Sequence, residues 1–294
     1  MNKHLFSGTG VALVTPFDKS GNVDFRSLTG IVEHVISGNV DYLVAMGTTG
    51  ESVVLNNDEK QGAVKHIIRV SDGQCPVVLG MGGNNTSSLI DQINKQDFDG
   101  ISGILSVSPY YNKPTQEGIY AHYSEIAKAS PLPVILYNVP GRTGSMINPD
   151  TTLRLANDFS NIVAIKEASG DLCAITKILK HKPGHFAVVS GDDALALPMI
   201  SLGAQGVISV IANAYPRKMS SLVNYSLQNN FESARNIHYQ IIEMIDAIFQ
   251  DGNPGGIKSL LYHLGIAEEH LRLPLVPVSE ETSKKIKKLA GQIL

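Results

Sequence analysis

The sequence has no tryptophan, only two cysteines and no hydrophobic run near the roughly 20 residues that a membrane-spanning helix needs. Cys75 and Cys173 are too few for a disulfide framework, which favours a reducing compartment. Basic residues number 24 and acidic residues 27, so there is no basic excess for nucleic acid or an anionic membrane. Residues 1–10 lack the sustained apolar core of a signal peptide. These absences predict a cytoplasmic protein with neither nucleic-acid nor membrane partners.

Motifs for metals and dinucleotides are also missing. The nine histidines show no H-x-H or H-E-x-x-H spacing, so a zinc-dependent aldolase is poorly supported. The G-M-G-G stretch at 80–83 lacks the G-x-G-x-x-G spacing and is better explained as a tight strand exit. Asp192 and Asp193 could be metal ligands, but capping of a helix is the more common role of such a pair. The sequence therefore predicts no metal and no external cofactor.

What the chain does have is a regular alternation of short apolar runs with longer helix-like segments. The runs are rich in valine and isoleucine and apolar on both faces, as buried parallel strands are. They lie at 11–14, 42–46, 76–80, 103–107, 133–137, 162–166, 186–190 and 206–210. The clearest helical segments are 24–37, 57–70, 115–128 and 149–157, with Asn57 or Asp58 as the cap of the second and Thr115 as the cap of the third.

Eight such units predict an α/β fold, a (β/α)8 TIM barrel, rather than a doubly wound open sheet. After the eighth unit, residues 231–249, 255–264 and 280–293 have the pattern of three further helices. We therefore expect a catalytic barrel over residues 1–228 and a C-terminal helical appendage over 229–294, packed on the barrel.

The most informative stretch is N-I-V-A-I-K-E-A-S-G-D at 161–171, a buried strand that ends in Lys166. A charged ammonium is costly to desolvate, so this amine should either lose its charge or be paired. Because side chains alternate along a strand, Lys166 and Glu167 point to opposite faces, and Glu167 is a poor partner for Lys166. Taken alone, Lys166 could simply reach water. A lysine activated by its surroundings instead attacks carbonyl groups and forms a Schiff base.

In a barrel of this type, the chemistry collects where the strands end. Tyr137 and Lys166 end consecutive runs, so neighbouring strands would place them about 5 Å apart. A phenol beside an amine can pass protons as an imine forms. The G-T-T-G turn around Thr48 and Thr49 can offer N–H groups to a carboxylate, and Arg142 has the fork that suits a second one. Each of these features also has a bland explanation as a turn, a cap or packing.

Together, G-T-T-G-E-S at 47–52, Y-N-V-P-G-R-T at 137–143 and the lysine strand resemble the dihydrodipicolinate synthase/N-acetylneuraminate lyase family. The resemblance extends over essentially the whole chain, from G-T-G-V-A-L-V-T-P-F at 8–17 to the helical tail. It implies a metal-independent class I aldolase-type lyase in lysine and diaminopimelate biosynthesis. The implied reaction condenses pyruvate with L-aspartate 4-semialdehyde, and no cofactor is needed.

The resemblance also implies roles for single residues. Lys166 would form the Schiff base with pyruvate, and Tyr137 with Thr48 would form a proton relay completed by Tyr111 of a neighbouring subunit. Thr49 would hold the pyruvate carboxylate, and Arg142 at the site entrance would bind the carboxylate of the aldehyde. Two further positions, Gly191 and Ile208, match residues that line the pyruvate pocket.

Two other functions remain open at this point. A Schiff-base aldolase for another 2-keto acid, such as N-acetylneuraminate lyase or a keto-deoxy sugar-acid aldolase, would use the same lysine. Arg142 favours the short aldehyde, since sugar-acid aldolases of the family generally lack that arginine. A non-catalytic keto-acid sensor is also compatible with the fold. The complete set of site residues argues against it, because a binding module needs no activated lysine.

The resemblance further implies a homo-oligomer, usually a tetramer built from two tight dimers, though some members stop at the dimer. Many synthases of the family are inhibited by L-lysine at the dimer interface. Here the two histidine positions of that site hold Asn57 and Lys60, the asparagine is Asn84, and the glutamate position is Ser88. A lysine ammonium without a carboxylate partner binds poorly. We therefore expect little or no inhibition by L-lysine.

Overall fold

Eight parallel strands form a closed barrel in chain order, β1 to β8, in the computed structural model, which describes residues 4–293. Each strand pairs with the next, and β8 pairs with β1. The predicted (β/α)8 barrel is confirmed, and the doubly wound alternative is wrong because the sheet has no open edge. The strands are β1 Gly8–Ala12, β2 Tyr42–Ala45, β3 Val77–Gly80, β4 Ile101–Val107, β5 Val134–Asn138, β6 Ile162–Glu167, β7 Ala187–Ser190 and β8 Gly206–Ser209.

Helices follow the strands around the outside of the barrel. They are α1 Phe25–Ser37, α2 Asn57–Ser71, α3 Thr86–Lys95, α4 Gln116–Ala129, the one-turn α5 Pro140–Thr143, α6 Pro149–Asp158, α7 Leu172–His181, α8 Ala196–Ser201 and α9 Pro216–Leu227. Two short 3₁₀ turns, Ser52–Val54 and Ile211–Asn213, lie after β2 and β8. The predicted C-terminal appendage consists of α10 Phe231–Phe249, α11 Gly255–His263 and α12 Glu280–Ile293. Within it, α10 packs against α9 of the barrel, and α12 packs against α10 and α11.

The cap of α2 differs from the predicted one. Asn56, not Asn57 or Asp58, accepts a hydrogen bond from the Glu59 N–H, and the Glu59 carboxylate accepts one from the Asn56 N–H. This capping box needs an extended residue before the helix, and Asn56 has that conformation. Asn57 already belongs to the first turn. The predicted cap of α4 is confirmed, because the Thr115 hydroxyl accepts a hydrogen bond from the Gly118 N–H.

Strand β1 begins three residues earlier than the apolar run at 11–14 predicts. Gly8 pairs with Gly206 of β8 where the barrel closes. A side chain on Gly206 would place its Cβ only 2.0 Å from the Gly8 carbonyl oxygen, and Gly206 has a φ of 154°. The closure therefore depends on glycines. Because glycines carry no hydrophobic signal, a search for apolar runs misses this part of the strand.

The hydrophobic core has two layers, as the alternation of side chains along the strands requires. The inner layer fills the barrel with residues such as Ala12, Val44, Ala164 and Ile208. The outer layer lies between the sheet and the helices. Ala164 belongs to the inner layer and Ile165 to the outer one. Lys166, two residues after Ala164, therefore follows it on the inside of the barrel.

Among residues 4–293, no helix is both long enough and apolar enough to cross a membrane.

Candidate active site

Lys166 lies near the C-terminal end of β6, with only 5% of its surface exposed. It is in register with Tyr137 of β5 and Val189 of β7. Its Nζ lies 4.4 Å from the centre of the Tyr137 ring, so the amine packs over the face of the phenol. The sequence predicted that these two residues meet, and the strand register confirms it. In the described part of the chain, Lys166 makes no ion pair, so the alternative of a paired lysine is not realised.

Glu167 points to the opposite side of β6, as the alternation predicted. Its carboxylate accepts hydrogen bonds from the Asn138 amide and from the Ser169 hydroxyl, the latter at 2.6 Å. Burial raises the pKa of the Glu167 carboxyl, while the hydrogen bonds from Asn138 and Ser169 act in the lowering direction. Asn138 also accepts a hydrogen bond from the Ile147 N–H at 3.0 Å. The ends of β5 and β6 are thus cross-linked behind the residues that face the barrel interior.

Gly191 directly follows β7, and Ile208 lies on the neighbouring strand β8. A Cβ on Gly191 would stand 3.0 Å from Cε of Lys166 and 2.8 Å from the Ala168 side chain, so only glycine leaves room for the extended lysine. Ile208 is fully buried in the inner layer of the barrel. The glycine explains how a long side chain fits at the crowded end of β6.

The G-T-T-G-E turn after β2 is closed by its own backbone. The N–H groups of Gly50 and Glu51 donate to the carbonyls of Gly47 and Thr48, both at 3.1 Å. The N–H groups of Thr48 and Thr49 remain as the candidate donors to a carboxylate. The two threonines differ in burial, since Thr48 is exposed and Thr49 is buried.

Tyr111 lies in the loop after β4, and 88% of its surface is exposed. Its φ of 75° is in the left-handed region, which is unusual for a tyrosine. The adjacent residue, Tyr110, is tied by its carbonyl to the side chain of Asn84, which donates at 3.2 Å. Tyr111 therefore does not pack into the mouth of its own barrel.

Arg142 lies on the one-turn helix α5 after β5 and is exposed. Its Nη2 donates to the carbonyl oxygen of Asn253 at 3.3 Å. The side-chain amide of the same asparagine donates to the Thr49 hydroxyl at 3.0 Å. Asn253 carries no functional signal in the sequence, because N-P-G-G at 253–256 indicates only a turn. Nothing in the spacing indicates a contact with a residue 204 positions away.

A buried ion pair below the G-T-T-G-E turn was also missed. Lys258 of α11 donates to the Glu51 carboxylate, and the two side chains are 1% and 0% exposed. Lys258 also donates to the His270 carbonyl at 2.8 Å, and the Arg272 N–H donates to Glu51 at 3.2 Å. Burial lowers the pKa of Lys258 to about 8, and the neighbouring Glu51 opposes that shift. Arg272 continues the network to Glu59 at the start of α2.

Asp192 and Asp193 form backbone hydrogen bonds after β7. Asp192 accepts from the Ala194 N–H at 2.9 Å, and Asp193 accepts from the N–H groups of Val210 and Ile211. Neither caps α8, whose cap position is Leu195. Asp193 instead secures the start of the turn after β8. Within residues 4–293, no group of three or more histidine, cysteine or acidic side chains is arranged to hold a metal ion.

The arrangement supports carbonyl chemistry. A primary amine stands at the C-terminal end of the barrel, against a phenol and a glycine that leaves space beside it. A buried primary amine can attack a ketone and form an imine, and a nearby phenol can transfer protons during that step. Thr49 and Arg142, joined through Asn253, offer donors suited to carboxylates.

Comparisons with known proteins agree with this chemistry. Residues 5–293 match the model of the dihydrodipicolinate synthetase (DHDPS) family. The chain is 50% identical over 288 residues to 4-hydroxy-tetrahydrodipicolinate synthase of Flavobacterium psychrophilum, covering 98% of each chain. A monomeric dihydrodipicolinate synthase variant superposes with a TM-score of 0.96 at 37% identity, covering 98% of this chain and 97% of the variant. DHDPS from Cyanidioschyzon merolae with lysine bound superposes with a TM-score of 0.95 at 37% identity, covering 99% of each chain. The chain belongs to the dihydrodipicolinate synthetase family.

Proposed function

We propose that this protein catalyses the 4-hydroxy-tetrahydrodipicolinate synthase reaction, the condensation of pyruvate with L-aspartate 4-semialdehyde in lysine and diaminopimelate biosynthesis. The observation that carries the proposal is the buried Lys166 amine, 4.4 Å from the ring centre of Tyr137 at the C-terminal end of the barrel. A class I aldolase-type lyase needs such an amine. The relative at 50% identity bears the same activity in its name.

The reaction begins when the Lys166 amine attacks the ketone carbon of pyruvate and water leaves, giving a protonated imine. Loss of a proton from the pyruvate methyl group converts the imine to an enamine. The enamine carbon attacks the aldehyde of L-aspartate 4-semialdehyde and forms the new carbon–carbon bond. The amino group of that substrate then attacks the imine carbon, closes the ring and releases Lys166 as the free amine. The two substrates give one ring product and one water.

We assign the proton transfers of this reaction to Tyr137, Thr48 and Tyr111. Tyr137 is the nearest hydroxyl-bearing side chain along the strand register, because it is paired directly with Lys166. Thr48 lies in the turn after β2, and its exposed side chain is accessible from the barrel mouth. Tyr111 acts in the site of a neighbouring subunit, and its 88% exposure in the isolated chain supports that role.

Substrate binding falls to the turn after β2 and to α5. Thr49 holds the pyruvate carboxylate, and Arg142 at the entrance binds the carboxylate of the aldehyde through its planar fork. Gly191 and Ile208 line the pyruvate pocket, which the contact between Gly191 and the Lys166 side chain supports. No metal and no external cofactor takes part, since the covalent imine with Lys166 supplies the electron sink.

These positions support a division of the chain into a catalytic part and a supporting part. Residues 1–228 form the catalytic barrel, and residues 229–294 form a helical region that packs on it and supports the turn after β2. The hydrogen bond from Asn253 to Thr49 and the ion pair between Lys258 and Glu51 support this division.

The active form is a homo-oligomer, a tetramer made of two dimers, in the cytoplasm. Besides Tyr111, the exposed Val53 in the loop after β2 supports contact with a second copy. Because a similar chain is a monomeric variant, the oligomeric state should be measured directly by analytical ultracentrifugation.

Reduction with borohydride tests the central step. Incubation with pyruvate and borohydride should add one reduced pyruvyl group to the peptide that contains Lys166, and Lys166→Ala should abolish both adduct and turnover. Absence of the adduct, or full activity of the variant, would contradict the proposal.

Turnover of L-aspartate 4-semialdehyde should greatly exceed that of sialic or keto-deoxy acids, and the reverse result would favour a sugar-acid aldolase. Tight pyruvate binding without turnover would indicate a sensor.

A further inference from the structure

Asn253, in the C-terminal region, hydrogen-bonds to both expected carboxylate-binding side chains. It precedes α11, and 8% of its surface is exposed. Its side-chain Nδ2 donates to Thr49 Oγ1 at 3.0 Å, and its backbone carbonyl accepts from Arg142 Nη2 at 3.3 Å. Residues from the turn after β2 and from α5 thus meet on a single asparagine.

The direction of the bond to Thr49 has a chemical consequence. A hydroxyl group has one hydrogen to donate and two lone pairs that accept. Because the Asn253 amide donates to Thr49 Oγ1, it occupies a lone pair and leaves the hydroxyl hydrogen free. A carboxylate only accepts hydrogen bonds, so it needs a hydroxyl in this state. Asn253 therefore keeps Thr49 available as a donor.

The bond to Arg142 restricts an otherwise exposed side chain. The guanidinium has five N–H groups, and the Asn253 carbonyl uses one of them. The remaining donors stay available for a carboxylate. Anchoring a long side chain before binding reduces the conformational entropy that the ligand must overcome.

A third observation points to the same residue. Among the described residues, Asn253 Oδ1 is buried and has no hydrogen-bond partner. Buried amide oxygens are nearly always satisfied in folded proteins, so exceptions need an explanation. If the amide turned over, Oδ1 would accept from the Thr49 hydroxyl, but the hydroxyl hydrogen would then be unavailable to a carboxylate.

We infer that Asn253 is a positioning residue for both substrates. Its side-chain amide keeps the Thr49 hydroxyl as a donor to the pyruvate carboxylate, and its carbonyl anchors Arg142 for the carboxylate of the aldehyde. The inference rests on the proposed function, because it assigns the two carboxylates to these two residues.

The substitution Asn253→Asp tests the inference with almost no change in shape. An aspartate only accepts, so the Thr49 hydroxyl would turn to donate to it, and the new negative charge would repel pyruvate. The half-saturating pyruvate concentration for borohydride trapping should rise at least about tenfold, the scale of one charge-assisted hydrogen bond. The maximal adduct yield should stay near that of the wild type. KM for the aldehyde should change little, because the backbone carbonyl that accepts from Arg142 is retained, and kcat should change little as well.

Asp251→Asn is the matched control in the same segment. Asp251 accepts from the N–H and the hydroxyl of Ser279, at 2.8 and 2.7 Å, and so ties the segment to the start of α12. It contacts neither Thr49 nor Arg142. This variant should lower the melting temperature without moving the half-saturating pyruvate concentration. An equal rise in both variants would mean that Asn253 acts only through the stability of its segment.

A double variant provides a second test that does not depend on the folding of Asn253→Asp. Asn253→Ala alone should raise half-saturating pyruvate, but in a Thr49→Val background it should add less than about a twofold change, because the hydroxyl through which it acts is gone. Full additivity would overturn the inference. The inference would also be overturned if pyruvate is trapped on the wild type and the half-saturating pyruvate concentration is unchanged in Asn253→Asp. That result would leave the proposed function intact. Failure of the wild type itself to be trapped would remove both.

Discussion

The buried ion pair between Lys258 and Glu51 allows a sharp prediction about stability. Lys258→Met removes the positive partner and keeps a side chain of similar length, leaving the Glu51 carboxylate buried at 0% exposure. The backbone N–H of Arg272 at 3.2 Å remains near Glu51, as does the charge of the Arg272 side chain, whose main partner is Glu59. Breaking such a pair from one side typically costs about 3–5 kcal/mol, because the remaining charge is desolvated without compensation.

That free energy translates into a measurable shift in melting temperature. With an unfolding entropy of about 2.1 cal/mol/K per residue, the 294-residue chain should lose about 5–8 °C. Differential scanning fluorimetry, checked by circular dichroism, measures this shift. The turn that carries Thr49 should also loosen, since the Glu51 N–H closes it onto Thr48. Half-saturating pyruvate should therefore rise in the same variant.

Two further variants separate burial from charge. Lys128→Met removes an exposed ion pair with Glu125 at 2.6 Å, whose side chains are 62% and 49% exposed, so the melting temperature of this variant should change by no more than about 1 °C. The double variant Glu51→Gln/Lys258→Met removes both buried charges and should recover at least about half of the loss. A melting temperature of Lys258→Met within about 1 °C of the wild type would contradict this account of the buried pair. So would a double variant that is less stable than Lys258→Met alone.

His122, Tyr111 and the expected lysine site allow three further tests. Burial lowers the pKa of His122 from 6.5 to about 4, so the unfolded chain binds more protons than the folded chain between these pH values. The free energy of unfolding should therefore fall on acidification through that window, by about 3 kcal/mol for this group. Thermal melts at pH 7 and pH 4.5 should show a smaller loss of stability at the acid pH in His122→Gln than in the wild type, and equal losses would contradict this. Mixing Tyr111→Phe with Lys166→Ala subunits should restore activity, because mixed dimers regain one wild-type site; no recovery would place the tyrosine in its own chain's site. L-lysine should inhibit weakly because Ser88 offers no carboxylate and Lys60 adds like charge, and half-inhibition below about 1 mM in an activity titration would show this to be wrong.

The parts of the fold that could be predicted are those that depend on short-range patterns in the sequence. Side-chain alternation placed Lys166 inside the barrel and Glu167 behind it, and parallel pairing of consecutive strands brought Tyr137 to Lys166. Hydrophobic periodicity located α10 at Phe231–Phe249 without error. The alternation and the helical periodicity each span fewer than about 20 residues, which is the range over which periodicity carries information. The pairing of Tyr137 with Lys166 needed in addition only that consecutive strands are neighbours.

What the sequence could not provide are contacts between distant segments. The cap of α2 was displaced by one residue, because several neighbouring polar side chains have equal capping propensity and only the backbone conformation selects Asn56. Strand β1 was displaced because two of its first three residues, Gly8 and Gly10, are glycines, which give no hydrophobic signal. Asn253 had no signal at all, since its importance comes from meeting Thr49 across the fold.

The C-terminal helical region is better understood as part of the site than as an addition to the barrel. The turn after β2 holds two residues in left-handed conformations at its ends, Met46 with a φ of 58° and Glu51 with a φ of 51°. Such conformations cost about 1–3 kcal/mol each unless the surroundings enforce them. The region after residue 229 contacts this turn through Lys258 on the Glu51 carboxylate and Asn253 on the Thr49 hydroxyl. The barrel contributes the Thr15 hydroxyl, which donates to the Gly50 carbonyl at 2.7 Å. The helical region thus supplies the amide that is hydrogen-bonded to the Thr49 hydroxyl, so the expected carboxylate site draws on both parts of the chain.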